Sequence, residues 1–314
     1  MISVEQLRKV YGTYVALADV SFSIAQGSVV GLLGRNGAGK TTTLRILAGV
    51  LRPSAGCVRF DGLDCATDPV RARANVAYLP ESAPLYPELR VSEHLLARAA
   101  QKGLSGKERP AVVQQALSKV GATEFAQVLC GQLSRGMRQR VALADVLLTP
   151  APLLLLDEPT TALDPTQTRE TRELIRSLGR SSTVLVSTHL LAEVEAMCDS
   201  AIVMDRGRIV AQGSIEELRR LGRSAELLVT LRTSVEHAQV ALSTLSAALQ
   251  SIVELEPGVV QLTFACPAET DLDAFAESIT QVVAASGIPL RQVMRKPASL
   301  EQIFADLTAS KEDA

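Results

Sequence analysis

The 314-residue sequence contains no tryptophan, and aromatic residues make up only 3% of it. Its core must therefore be aliphatic, and the 47% of apolar residues can supply one. No apolar run approaches the roughly 20 residues that a helix needs to cross a bilayer. The opening residues, MISVEQLRK, also lack the apolar segment of a secretory signal. These absences predict a globular protein that is made and kept in the cytosol.

Strong charge and paired cysteines are missing as well. The formal net charge is −2 and no dense basic block occurs, so nucleic acid is not expected as a partner. The five cysteines are an odd number without a CxxC pair, which is typical of reduced packing residues rather than disulfides or metal ligands. The three histidines lie too far apart along the chain to indicate a ligand set.

Strand-like and helix-like segments alternate as far as about residue 222, with a mostly helical subdomain over about 84–150 and a helix over about 168–178. This alternation predicts a parallel, helix-covered sheet. Residues 223–314 change character and favour a β-α-β-β-α-β order, typical of a small ferredoxin-like appendage. The patterns Ser214-x-x-Glu217 and Ser299-x-x-Gln302 predict capping boxes that each open a helix. We therefore expect two domains, 1–222 and 223–314.

A glycine-rich segment follows the short apolar run VVGLL and precedes a helical pattern. It fits the phosphate-loop pattern G-x-x-x-x-G-K-[ST], whose glycines let backbone N–H groups surround phosphate oxygens. Lys40 should reach the β- and γ-phosphates, and the Thr41 hydroxyl should bind Mg²⁺. A chance glycine-rich turn is the alternative, but both flanking elements are of the right kind. The segment consists of Gly34, Arg35, Asn36, Gly37, Ala38, Gly39, Lys40, Thr41 and Thr42.

Two carboxylates, Asp157 and Glu158, follow the apolar run Leu153–Leu156. A strand that is apolar throughout is buried on both faces and delivers the next residue to the edge of the sheet where ligands bind. Asp157 is predicted to hold Mg²⁺ through its water shell, and Glu158 to polarise the water that attacks the γ-phosphate. A helix-capping or salt-bridged pair is the structural alternative, which the phosphate loop disfavours.

Five further segments occur in a recognisable order with the first two. They are KVYGTY with Tyr11, Tyr78-Leu79-Pro80-Glu81, Leu133-Ser134-Arg135-Gly136-Met137, Ala162-Leu163-Asp164, and VLVSTH ending at His189. Over about residues 1–220 the chain resembles the nucleotide-binding subunit of an ATP-binding cassette (ABC) transporter. The stretches YLPE, GMRQR and PASLEQIF resemble the type-two ABC exporters in particular. The resemblance implies an ABC cassette of the P-loop NTPase class, with a mixed sheet core, an antiparallel β region and a helical subdomain.

The resemblance also implies roles for single residues. Two such domains would enclose two ATP molecules head to tail, and Ser134 and Gly136 would contact the γ-phosphate bound to the partner. His189 would contact the γ-phosphate and hold the water and Glu158 in place, although a lone histidine is more often structural. Tyr11 would stack on adenine, rather than being an ordinary strand aromatic. Asp164 would bridge the two halves, rather than being a solvated loop residue.

Three positions depart from the family pattern. Arg135 stands where glycine is common, and Arg35 replaces a common proline; both are expected to point into solvent. Glu81 replaces the usual glutamine that helps to bind Mg²⁺, and an ionised carboxylate offers only acceptors. We expect Glu81 to couple the metal to the membrane-facing surface.

The implied function is the ATP-hydrolysing subunit of a transporter of the exporter class, with ATP and Mg²⁺ bound. Its implied partners are a second ATPase subunit, as a homodimer, and a separate integral membrane permease that anchors the pair at the inner face of the membrane. The alternatives are the ATPase of an ABC importer, a soluble ABC ATPase acting on ribosomes or DNA, and a non-hydrolysing regulatory module. Four intact residues argue against the last of these: Lys40, Asp157, Glu158 and His189.

Overall fold

The computed structural model describes residues 2–161, 163–220, 224–267 and 271–296. The chain divides into two compact units, Met1–Ile215 and Glu216–Ala314. The sequence-based boundary at 222/223 stays a prediction, because residues 221–223 lie outside the described part of the chain.

Two sheets form the first unit. Its strands are β1 (Ile2–Tyr11), β2 (Tyr14–Ile24), β3 (Val29–Gly34), β4 (Ala55–Phe60), β5 (Leu63–Asp64), β6 (Val76–Leu79), β7 (Leu153–Asp157), β8 (Thr183–Thr188), β9 (Ser200–Asp205) and β10 (Arg208–Ser214). One sheet has the order β2-β1-β4-β5 and is antiparallel; the other has the order β10-β9-β3-β8-β7-β6 and is parallel except for β10. The predicted combination of a mixed core sheet and an antiparallel β region is confirmed.

Helices cover the mixed sheet and build the helical subdomain. They are α1 (Lys40–Leu47), α2 (Pro69–Ala74), α3 (Val91–Gln101), α4 (Arg109–Lys119), α5 (Arg135–Val146), α6 (Pro165–Leu178) and α7 (Leu191–Met197), with short 3₁₀ turns at Thr123–Phe125 and Cys130–Gln132. Helix α8 (Ile215–Arg220) begins at the last residue of the first unit. The predicted helix after Ser214 is present as α8, whereas the predicted capping box at Ser299 and Gln302 lies outside the described residues.

Helix α6 begins three residues before the predicted start near Thr168. Pro165 occupies the first turn, where its missing N–H is not needed, and the Asp164 side chain accepts a hydrogen bond from the Gln167 N–H at 2.8 Å. The apolar pattern begins only later, at Thr171 and Ile175, which are the buried residues of this helix. A prediction from the apolar periodicity therefore places the start of α6 three residues too late.

Burial explains the apolar strands. Every residue of β3, β7 and β8 is buried, since these central strands carry packed side chains on both faces. One apolar cluster joins this sheet to the helical subdomain, and a second fills the space between the mixed and antiparallel sheets. The central strands are thus held firmly on both sides, and their carboxyl ends are fixed relative to one another.

The second unit is a four-stranded antiparallel sheet with its own core. Its elements are β11 (Ser224–Leu231), α9 (Val235–Ala241), a 3₁₀ turn (Ser243–Ala248), β12 (Leu249–Glu256), β13 (Val259–Pro267), α10 (Leu272–Ala285) and β14 (Leu290–Lys296). The strand order is β12-β13-β11-β14. The predicted β-α-β-β-α-β order of a ferredoxin-like unit is confirmed.

Candidate active site

The carboxyl ends of four parallel strands meet at one edge of the mixed sheet. Strand β8 lies between β3 and β7, with Leu33 opposite Thr188 and Asp157 opposite Ser187. Strand β6 flanks β7 and ends at Leu79, two residues before Glu81. The segments that the sequence singled out therefore converge, because parallel strands present their carboxyl ends at the same edge.

The loop between β3 and α1 has a backbone that only glycine fits at Gly39. Its φ is 102°, and a Cβ there would lie 2.6 Å from Leu17 Cδ2 and 2.9 Å from the Ala16 carbonyl oxygen. The Lys40 ammonium is buried and donates to the carbonyl oxygens of Gly34, at 2.7 Å, and Arg35, at 3.3 Å. The loop thus holds a cation at the N-terminal end of α1, an arrangement suited to phosphate.

Asp157 is fully buried and is surrounded by hydroxyl groups. It accepts hydrogen bonds from Ser187 Oγ at 2.6 Å, from Thr41 Oγ1 at 3.2 Å and from the Tyr78 phenol at 3.5 Å. Burial, together with this carboxylate, raises the pKa of Tyr78 to about 12, so the phenol remains a donor. The pairing of Thr41 with Asp157 brings together two of the three predicted Mg²⁺-binding residues, the third being Glu81.

Glu158 lies at the centre of the polar groups. Its Oε2 atom is 2.9 Å from His189 Nδ1 and accepts from Thr161 Oγ1 at 3.2 Å, while Oε1 is 3.5 Å from the Lys40 ammonium. Its φ of 50° is unusual for a residue with a side chain. The Glu158 N–H donates to Ser187 Oγ at 3.0 Å, which helps to hold this backbone conformation. Such strained residues cluster at functional sites.

A pocket of about 440 Å³ opens over these groups. Tyr11 lines it as predicted, together with Tyr14, and both rings are about half exposed. Glu81 lines it too and is exposed. The whole lining consists of Tyr11, Tyr14, Ala16, Arg35, Asn36, Gly37, Ala38, Gly39, Lys40, Thr41, Thr42, Glu81, Glu158, Thr161 and His189. Nearly every predicted phosphate-loop residue therefore faces one cavity of nucleotide size.

Five predicted site residues do not line this pocket. Gly34 and Asp157 are buried next to it, in contact with Lys40 and Thr41, and the other three lie at the starts of α5 and α6. Ser134 caps α5 by accepting from the Met137 N–H at 3.3 Å, and Gly136 is buried so that a Cβ would lie 2.5 Å from Gln167 Oε1. Asp164 caps α6, and Ala162 lies outside the described residues. Arg135 is exposed, as expected. A single chain therefore does not bring Ser134, Gly136 or Asp164 to its own phosphate loop.

The structure adds residues to which the sequence analysis gave no role. Ser187 links Asp157 to the Glu158 backbone, Thr161 contacts the Glu158 carboxylate, and Tyr14 lines the pocket opposite Tyr11 in the β1–β2 register. Ser187 and Thr188 interrupt an otherwise apolar strand just before His189, and that polar ending was the available signal.

The residues present fit a nucleoside triphosphate with Mg²⁺. The glycine cradle, the buried ammonium and the helix N-terminus suit phosphates, and the Thr41 hydroxyl and Asp157 carboxylate are oxygen ligands of the kind Mg²⁺ takes. Within the described residues, no group of three or more His, Cys, Asp or Glu side chains forms a complete metal site.

Comparison with known proteins gives a consistent result. The family described as ABC transporter matches residues 17–161. NatA, an ABC transporter ATP-binding protein of Bacillus subtilis, is 39% identical over 68% of this chain and 87% of its own length. Nod factor export ATP-binding protein I of Ralstonia nicotianae is 36% identical over 98% of this chain and 94% of its own length. Daunorubicin resistance ATP-binding protein DrrA3 of Streptomyces coeruleorubidus is 31% identical over 98% of this chain and 95% of its own length. The similarity to these last two includes the second unit.

Solved structures agree with the fold. The cassette MJ0796, solved as a dimer, has 27% identity and a TM-score of 0.64 over 68% of this chain and 99% of its own. The same cassette in a post-hydrolysis state with ADP and phosphate has 26% identity and the same TM-score and coverage. No described helix of the present structure is long and apolar enough to cross a membrane. The chain belongs to the ABC transporter family, in which it is an ATP-binding, ATP-hydrolysing subunit.

Proposed function

We propose that Glu158 polarises the water that attacks the γ-phosphate of ATP. We propose further that His189 contacts both Glu158 and that phosphate and so fixes their relative positions. The observation that carries this proposal is the position of the Glu158 carboxylate, 2.9 Å from His189 Nδ1 and 3.5 Å from the Lys40 ammonium, at the wall of the pocket. Lys40 exchanges its contacts with loop carbonyls for the β- and γ-phosphates when nucleotide enters. Tyr11 stacks on the adenine ring.

We also propose that Thr41 and Asp157 hold Mg²⁺, with Glu81 close to it at the pocket wall. The ion supplies positive charge to the phosphate oxygens when it is bound. Ser187 and Tyr78 keep Asp157 oriented through the hydrogen bonds that its carboxylate accepts. In Glu81→Ala, unchanged ATP hydrolysis and unchanged transport would refute the coupling role of Glu81.

The assembly we propose is a homodimer that closes on two ATP molecules and drives a separate permease in the export direction. Three facts support the dimer: the related cassette MJ0796 is solved as a dimer, every motif is present in this one chain, and Ser134 and Gly136 lie away from their own phosphate loop. Export is supported by the full-length likeness to a Nod factor export subunit. The permease holds the pair at the inner face of the membrane.

The permease is expected to dock near residues 81–93, where Tyr86 is 53% exposed. The test is to tag the chain in its native host, solubilise the membranes in detergent, purify the complex and identify its components by mass spectrometry. A stoichiometric polytopic protein is expected, with weaker recovery from Tyr86→Ala. The matched control is Val240→Ala, an exposed apolar residue in the second unit. Ribosomal proteins or DNA-binding proteins without a membrane protein would overturn the transport assignment, and an external solute-binding partner would indicate import.

A further inference from the structure

A buried carboxylate lies beside the turn that carries His189, and the roles proposed above do not use it. Glu193, in the first turn of α7, is 2% exposed. Its Oε2 atom accepts a hydrogen bond from Thr188 Oγ1 at 2.6 Å, and its Oε1 atom lies 3.4 Å from Arg172 Nη2. Three polar side chains from β8, α6 and α7 therefore meet below the edge of the pocket.

The three side chains form an interdependent group. A buried carboxylate is tolerated only when charge and hydrogen bonds compensate for its lost hydration, and here Arg172 supplies the charge and Thr188 the hydrogen bond. The short distance to the Thr188 hydroxyl is typical of a bond to an ionised acceptor. Removing the carboxylate would leave the Arg172 charge without this partner, so the arrangement of all three depends on Glu193.

This group fixes the backbone on both sides of His189. Thr188 precedes the histidine, and its Oγ1 atom also accepts from the N–H of Leu190, the residue that follows it, at 3.1 Å. The Thr188 hydroxyl therefore accepts a hydrogen bond from the residue after His189 and donates one to Glu193. The His189 side chain is itself 44% exposed, so packing restrains it weakly and its position depends on the backbone that carries it.

Arg172 connects the turn to another part of the site. It lies on α6, about two turns beyond Asp164, which caps that helix and which the family resemblance places at the contact between subunits. A shift of α6 would therefore act on Glu193 through the ion pair, and on the turn through Thr188. The contacts of Arg172, Glu193 and Thr188 therefore connect the helix that follows Asp164 to the turn that carries His189.

We propose that Glu193 is a positioning residue for His189, acting through Thr188, and that Arg172 couples it to α6. This inference rests on the proposed role of His189 in ATP hydrolysis. If the turn loosens, the histidine no longer meets Glu158 and the γ-phosphate in the productive geometry, while the phosphate loop still binds nucleotide. Turnover should therefore fall while the affinity for ATP is kept.

The test is steady-state phosphate release by the full chain, with fluorescent-nucleotide binding and thermal unfolding measured on each variant. Thr188→Val keeps the side-chain shape but removes the hydroxyl, and Glu193→Ala removes the carboxylate. Both should lower kcat roughly 10- to 100-fold, the loss expected from misplacing a catalytic group by about 1 Å, with KM within about twofold. Thr188→Ser should restore kcat, and Arg172→Ala should lower it more than Arg176→Ala, an exposed arginine one turn further along α6.

Combination with His189→Ala separates positioning from general damage. In that background, Thr188→Val should lower residual turnover by less than about twofold, since it acts through the missing ring. Two results would overturn this inference without affecting the proposed role of His189. One is that Thr188→Val lowers kcat as much in the His189→Ala background as it does in the wild type. The other is that Thr188→Val and Glu193→Ala both keep wild-type kcat while His189→Ala is impaired. Wild-type kcat in His189→Ala would instead refute the proposed role of His189, and this inference with it. If Glu193→Ala fails to fold or the double variant is inactive, the Val and Ser variants of Thr188 decide the matter.

Discussion

At the scale of single residues, hydroxyl groups organise the carboxylates of this site. Ser187 donates to Asp157 and accepts from the Glu158 N–H, and Thr161 donates to the Glu158 side chain. The motifs predicted Lys40, Asp157, Glu158 and His189 because each follows a strand or a glycine loop at a recognisable spacing. Ser187 and Thr161 were missed because a single hydroxyl carries no spacing signal, and the polar end of β8 does not indicate which groups Ser187 contacts. Their roles become visible only when β7 and β8 are placed side by side.

His94 provides a pH-dependent prediction at this scale. It is buried, its Nδ1 atom has no hydrogen-bond partner among the described residues, and its ring lies 5.6 Å from that of Tyr86. Burial lowers the pKa of His94, with Arg98 also lowering it and Asp145 opposing them. The folded protein therefore holds the neutral ring, while the unfolded chain takes up a proton as the pH falls through about 6.5.

Stability contributed by neutral His94 should thus be present above pH 6.5 and be lost progressively below it. We expect the free energy of unfolding in urea to fall between pH 7.5 and pH 5.5 more in the wild type than in His94→Phe, which cannot titrate. The comparison uses the change with pH in each protein, so that a packing effect of the phenyl ring cancels. Equal pH dependence in the two proteins would contradict the prediction.

At the scale of elements, the caps and turns at helix starts place the site. The loop between β3 and α1 could be predicted because glycine is the residue that readily adopts the positive φ angles found there. The start of α6 was predicted too late, because the capping signal at Asp164 and Pro165 precedes the apolar pattern. Periodicity reports the buried face of a helix, whereas its first turn is set by hydrogen bonding.

Two glycines of the phosphate loop allow a matched comparison. Both Gly37 and Gly39 have positive φ, at 84° and 102°, but a Cβ at Gly37 would meet no atom within 4 Å, whereas at Gly39 it would meet Leu17 and Ala16. Gly39→Ala should therefore destabilise the nucleotide-free protein by roughly 1–3 kcal/mol more than Gly37→Ala, the usual cost of overpacking. Urea unfolding of both variants measures the difference, and equal losses would show that the loop is not packed as described.

The cap of α6 gives a second prediction for an element. Asp164→Ala should lower the free energy of unfolding by about 1 kcal/mol, because the Gln167 N–H loses its acceptor. Asp164→Asn keeps an acceptor oxygen and should remain close to the wild type. Thermal or urea unfolding distinguishes the two, and equal destabilisation by Ala and Asn would indicate that the negative charge, rather than the cap, matters.

At the scale of the whole molecule, the chain holds two units with separate cores, and the first unit contains the pocket lined by the phosphate loop. The order of the longer elements in both units could be predicted from periodicity and turn signals, whereas β5, α2 and β6 were not predicted because two to six residues are too few to show a buried face. The completed site could not be derived from composition or spacing, because Ser134 and Gly136 lie away from the pocket of their own chain. Only the family resemblance assigned them to a partner.

Glu158 has the central role in the proposed hydrolysis of ATP, and one variant tests that role. Purified Glu158→Gln should bind ATP with Mg²⁺ and elute as a dimer in size-exclusion chromatography with light scattering, because ATP still joins the subunits. Its rate of phosphate release should fall by roughly 10²- to 10⁴-fold, the loss expected when a general base is removed. Lys40→Ala is the control, and it should neither bind ATP tightly nor dimerise. Near-normal turnover in Glu158→Gln would contradict the account.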